Sequence, residues 1–218
     1  MKQNQTMNIK FLNVALGIVL TATALSASAQ KVFTEGVISF PMEVRGMPAD
    51  AKEYFTKDST ALVVSFGAGS FKMLTTAKHD YMALVLDVPV ASIKKVGTAT
   101  PAELEEGMAA IPTFSFTTTT ETKQISGFNC TKVVAKDNKS GKTYDVWITK
   151  DISLPSTAVP IFYANIGGVP IQYTSFQQGQ EVSITVTSVT GDKAPAGTFS
   201  YSKDFEKVGS LAEMNPGG

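Results

Sequence analysis

The sequence predicts a mainly β protein with few short helices. Apolar and polar residues alternate with period two over most of the chain, the pattern of strands that bury one face. Clusters of Gly, Asn, Asp and Ser recur between these runs as turns, and only one segment carries the start signals of a helix.

Val32 to Val44 alternates and then meets Pro41 and Gly46, so it predicts a strand that bends or frays there. Pro48 to Phe55 predicts a turn or two of helix. Ala61 to Phe66, Ser70 to Thr76 and Tyr81 to Val88 predict a meander, joined through Gly67-Ala68-Gly69 and Lys78-His79-Asp80. Within it, Leu62-Val63-Val64 and Met82 to Leu86 are apolar on consecutive positions, so both faces of those strands need cover. A helix, a loop or a ligand would supply it.

The helix begins at Thr100-Pro101-Ala102-Glu103: an N-cap threonine, proline at the first helical position and a glutamate that closes a capping box. Leu104, Met108 and Ala109 give it a modest apolar stripe, and Pro112 ends it, which makes it the candidate cover for the sheet. Thr113 to Gln124 predicts a long strand. Gly127 to Ala135 turns at Asp137 to Gly141 into Thr143 to Thr149, and Ile171 to Phe176 turns at Gln177-Gln178-Gly179 into Gln180 to Val189, giving two hairpins. Gly197 to Phe205 predicts a last extended piece before a Gly-rich tail. Between the hairpins, Asp151 to Gly168 combines Pro155, Pro160 and Gly167-Gly168 with Ile161, Phe162, Tyr163 and Ile166. An apolar loop of this kind packs over an open sheet face or serves as a lid on an apolar cleft.

Of the 218 residues, the first 29 read as a secretory signal peptide. Lys2 and Lys10 precede an apolar run from Phe11 to Leu25, and Ala27-Ser28-Ala29 offers a cleavage site before Gln30. The run is too short and too polar for a stable membrane span, which disfavours the alternative of an uncleaved anchor. A periplasmic or secreted single domain from residue 30 to 218 is expected. The leader takes two lysines, leaving 17 basic against 19 acidic residues, a balance that offers nucleic acid no electrostatic footprint.

Cys130 is the sole cysteine and His79 the sole histidine. No intramolecular disulfide can form, and a zinc site lacks the ligands it wants. His79 reads as a turn residue, and Cys130 as a buried thiol or, alternatively, an accessible one able to pair between chains. No nucleophile–base constellation, calcium loop or phosphate loop is present, so no catalytic residue, metal or cofactor is expected and the chain reads as a non-enzyme. Asn129-Cys130-Thr131 and Asn138-Lys139-Ser140 match the glycosylation sequon, which matters only in a eukaryotic host.

Glu121 to Val133, with its Ile125-Ser126-Gly127-Phe128-Asn129-Cys130 element, resembles a motif of an exported bacterial domain-of-unknown-function family of the Bacteroidetes type. Asp145 to Asp151, Gly168-Val169-Pro170-Ile171-Gln172-Tyr173 and Gly197 to Tyr201 are similar to further elements of that family. The resemblance covers residues 113–208, with residues 30–112 matching in pattern. It implies a fold like the periplasmic lipoprotein carriers LolA and LolB: a curved antiparallel sheet, an unclosed half-barrel, covered by a helix and an apolar loop. The two-faced apolar strands and the apolar segment make Leu104, Met108, Ile161, Phe162, Tyr163 and Trp147 the candidate ligand contacts, with a lipid, lipoprotein acyl chain or other amphipathic molecule as the expected partner. The alternative is a non-catalytic interaction or structural module that meets an envelope protein through a strand edge.

Overall fold

The computed structural model describes residues 30–44, 46–177 and 180–214. The leader, the residues Gln178-Gly179 at the tip of the second predicted hairpin, and the Pro216-Gly217-Gly218 tail lie outside them. The strands in chain order are β1 (Lys31–Val32), β2 (Gly36–Val44), β3 (Met47–Phe55), β4 (Ser59–Phe66), β5 (Gly69–Thr76), β6 (Met82–Val88) and β7 (Ile93–Thr98). Helix α1 (Pro101–Ala109) follows. Then come β8 (Phe114–Ile125), β9 (Phe128–Asp137), β10 (Thr143–Thr149), β11 (Ile152–Ser153), β12 (Val169–Gln177), β13 (Gln180–Thr185), β14 (Ser188–Thr190) and β15 (Glu206–Val208). A mainly β fold with few short helices is therefore what the chain adopts.

The strands form an eight-stranded sheet in the order β14-β2-β3-β4-β5-β6-β7-β15, a five-stranded sheet in the order β13-β12-β10-β9-β8, and a short parallel pair, β1 with β11. Both larger sheets are antiparallel apart from the parallel edge pair β7–β15, and neither closes into a barrel. Where one curved sheet is expected, the chain makes two. The turn from β7 into α1 ends the first meander, and β8 starts a new sheet.

The sheets share a core. Ile38, Phe40, Ala51, Phe55 and Val64 of the large sheet meet Val133, Val146, Ile148, Ile171 and Ile184 of the small one, all nearly inaccessible to solvent. Chain crossing stitches the layers together. The Val186 amide still donates to Ile171 in the small sheet, while the next amide, that of Thr187, donates to Ser39 in the large one. The predicted strand Gln180 to Val189 thus divides into β13 and β14 at this switch.

Pro48 to Phe55 is strand, not helix. Ala49, Ala51 and Phe55 bury every second side chain, and β3 pairs with β2 from Gly36 opposite Phe55 to Val44 opposite Met47. The partner strand and the buried face override the local turn signal. Strand β7 has only Ile93 and Val96 as large apolar residues and was not readable by alternation. Tertiary pairing with β6 over Ile93 to Thr98 creates it.

The expected cover of the sheet also differs. Helix α1 has the capping box read from the sequence: Thr100 Oγ1 accepts from the Glu103 amide, and Glu103 Oε2 accepts from the Thr100 amide at 2.7 Å. Yet no residue of α1 is buried, so the helix does not roof the sheet. The apolar segment does contribute, with Ala158, Tyr163 and Ile166 inside the shared core. On the opposite face of the large sheet, Ala61, Leu74, Ala83, Val85 and Val96 form a second core capped by Phe199, Tyr201 and Phe205. The run Gly197 to Phe205 is therefore an irregular strap, not a strand; the chain regains pairing only at β15. The strap then wraps the β7 edge. Gly97 has no room for a Cβ, which would lie 2.5 Å from Met214 and 2.7 Å from the Ser210 carbonyl.

Candidate functional site

The candidate residues do not converge on one site. Tyr163 ends a 3-10 turn, Ile161–Tyr163, that follows Pro160, and it is fully buried. Its ring stacks on Phe114 at 5.6 Å and meets Phe162 and Tyr173 edge-on, while its hydroxyl donates to the Thr174 carbonyl at 2.9 Å. Burial lifts its pKa well above the usual phenol range. Phe162 is half-buried and meets Phe114 and Phe176 edge-on, with Ile161 beside it. Both aromatic rings belong to a packed cluster rather than to the wall of a cavity.

Trp147 is elsewhere. On β10 it alternates with buried Val146 and Ile148, so its side chain leaves on the opposite side of the strand. The Lys123 ammonium sits 4.1 Å from the indole centroid and also donates to Gln172. Leu104 is half-buried and Met108 is 42% exposed on α1.

A feature that the residue candidates miss lies on β5 to β7. The five-stranded sheet shelters the neighbouring strands, but Met73, Met82, Leu84, Leu86, Val88 and Ile93 are half-buried and pack on neither core. Register puts them on one face: Met73 is opposite Leu84, and Val88 is opposite Ile93. This is the face that continues from Val64 and Phe71. Gly97, opposite Leu84, shares it, and Met214 lies over Gly97. The Ala212 amide just before donates to Glu103 at 3.0 Å, which ties the start of α1 to the margin of this face. Backbone donors from Thr100 and then Ala212 hold the Glu103 carboxyl below the usual range. The signal was present in the sequence as apolar residues on consecutive positions of β6.

The opposite face of the same strands carries a cleft. The strap passes over β5 and β6 and leaves a volume of about 440 Å³ bounded by Ser70, Lys72, Asp87, Tyr201 and Phe205. Lys72 donates to the carbonyls of Gly197 at 3.0 Å and Ser200 at 2.8 Å, and desolvation lowers its pKa. Lys94 pairs with Asp204, which holds that carboxyl down to about 2. No charged pair of this kind was legible in the sequence, because the partners come from segments far apart in the chain.

No protein-family model matches the chain, and no curated protein matches it. Two solved structures are similar to it: PNGF-II in the C2 space group, at 17% identity and a TM-score of 0.47, and PNGF-II in the P21 space group, at 16% identity and a TM-score of 0.44. Each match covers 83% of this chain, which spans only 31% and 32% of the matched chains. Likeness at this level establishes neither family nor activity.

The remaining chemistry-bearing residues are scattered. Cys130 is buried, and desolvation followed by the Asp151 charge pushes its thiol up to about 11. His79 is in the β5–β6 turn with a left-handed φ of 54°, its amide donating to Thr76. No group of three or more metal-ligating side chains occurs among the described residues. No helix among them is long and apolar enough to cross a membrane, which leaves the β-barrel case untouched. Glu53 shares the inward face of β3 with Ala51 and Phe55, near Tyr173, and burial pushes its carboxyl up to about 7.

Proposed function

We propose that the chain is an exported, non-catalytic binding protein that shelters the apolar part of an amphipathic molecule, a lipid or lipoprotein acyl chain. One observation carries this reading: the apolar face of β5 to β7 is only partly buried and, among the described residues, belongs to neither core. The area that these side chains still expose forgoes roughly 25 cal/mol for each Å² of apolar surface, which a bound apolar chain would recover. Methionines at Met73 and Met82, with exposed Met108 on the adjoining helix, suit a surface that must adapt to a flexible chain. Leu104 and Met108 are then marginal contacts, and the resemblance to exported carriers of acyl chains points the same way. The aromatic pair Phe162 and Tyr163 serves the fold in this reading, and Trp147 stands apart from the ligand. The signal-like leader supports a location in the periplasm or outside the cell.

Native mass spectrometry of the protein purified from its own envelope tests the proposal. A co-purifying lipid that is lost in a Leu84→Glu variant supports it; a bare polypeptide mass in every preparation counts against it.

A second reading, an envelope interaction module, is favoured by β8. This 12-residue strand lies at the free edge of the small sheet, mostly exposed. Its irregularity between Thr118 and Thr122, and the charges of Glu121 and Lys123, are devices that discourage edge pairing, so the acyl-chain reading is preferred.

A further inference from the structure

The cleft beneath the strap lies on the face of the large sheet opposite the apolar one and is lined by different chemistry. Register fixes its floor. Ser70 stands opposite Asp87, and Lys72 opposite Val85, so these side chains emerge together from β5 and β6. The strap supplies the wall, with the rings of Tyr201 and Phe205. At about 440 Å³ the space falls within the range of small-molecule clefts, roughly 300–1,000 Å³.

Its hydrogen-bonding capacity is only partly used. An ammonium has three donors, and Lys72 gives two of them to Gly197 and Ser200, which leaves one for a ligand. Among the described residues Asp87 has no ion pair: Lys94, the nearby cation that feels its charge, is committed to Asp204. The Ser70 hydroxyl adds a group that both donates and accepts. Charge in the lining cancels, since Lys72 is matched by Asp87. An anion would meet the Asp87 carboxylate and a lysine with one donor left, and a cation would meet the Lys72 ammonium. A hydrocarbon chain would cover Asp87 and offer it no partner, which is costly for a charged group.

We propose that this cleft binds a neutral saccharide unit, a mono- or disaccharide. Such a ligand offers hydroxyl donors to Asp87, oxygen acceptors to Lys72 and Ser70, and an apolar C–H face to Phe205 and Tyr201. Its uncharged character matches the balanced lining. The site is independent of the acyl-chain face, so either assignment can fail without the other.

Saturation-transfer NMR on the intact chain tests this, with N-acetylglucosamine, maltose and cellobiose as neutral probes and glucosamine and glucuronic acid as charged counterparts. At least one neutral sugar is expected to receive saturation. Asp87→Asn, at a partly buried position with no ion pair among the described residues, weakens that binding about tenfold, the loss expected of one charge-assisted hydrogen bond. Phe205→Ala weakens it as well, and Leu84→Glu on the other face leaves it unchanged. The proposal is overturned if no neutral sugar is saturated, if a charged counterpart binds better, or if binding survives in Asp87→Asn. Should Phe205→Ala loosen the strap, Asp87→Asn still decides.

Discussion

Replacing Glu53 with glutamine isolates a single, largely desolvated carboxyl on the inward face of β3. Glu53 faces the shared core between Ala51 and Phe55, and burial alone lifts it from 4.5 to about 7. In the unfolded chain the group returns to its ordinary value. Between those two values the folded state holds a proton that the unfolded state has released, so stability falls as pH rises through the window and levels off above the folded value. At 1.36 kcal/mol for each pH unit separating 4.5 from about 7, the full loss is about 3 kcal/mol. Glu53→Gln keeps the shape of the side chain and removes the titration. Urea denaturation of both proteins, from about pH 4 to about pH 8, provides the comparison. Subtracting wild type from variant cancels every other titrating group. The stability advantage of the variant is expected to grow by about 3 kcal/mol across that range. A difference that stays flat refutes a desolvated Glu53.

Tyr163→Phe removes the hydroxyl that donates to the Thr174 carbonyl and is expected to cost about 1–2 kcal/mol in thermal or urea unfolding; Tyr163→Ala also opens the aromatic cluster and costs about 3–5 kcal/mol. Gly97→Val forces Met214 and the Ser210 carbonyl away from β7. Increased hydrogen exchange confined to Glu206 to Met214 is the expected sign that the C-terminal wrap has lifted. Thr100→Ala breaks the capping box and lowers stability by about 1 kcal/mol, read from the denaturation midpoint. The Cys130 thiol, raised to about 11, resists a thiol-specific reagent at neutral pH until the chain is unfolded in guanidinium; fast labelling of the native protein contradicts its burial.

Much of this fold is legible locally. The alternation of Tyr144, Val146 and Ile148 with Asp145 and Trp147 reports a strand that buries one side, and β10 does so. Thr100-Pro101-Ala102-Glu103 specifies its helix start because every partner lies within one turn. Local signals fail where distant chain segments decide. Met47 to Phe55 carries a proline and helix-compatible residues, yet full-length pairing with β2 makes it a strand. The strap from Gly197 onward is held by Lys72 and by the second core, contacts that no spacing rule connects. Of the candidate site, the need to cover two-faced apolar strands was visible in Leu62 to Val64 and Met82 to Leu86. What covers them was not. One side received the strap, part of the other received the second sheet, and the remainder is the partly buried apolar face of β5 to β7.

Fluorescence titration with a dansyl-labelled medium-chain fatty acid tests that apolar face most directly. Saturable enhancement, displaced by an unlabelled fatty acid, abolished by Leu84→Glu and untouched by Asp87→Asn, is the predicted result. Equal enhancement in the wild-type and Leu84→Glu proteins, or none in either, contradicts a binding role for β5 to β7.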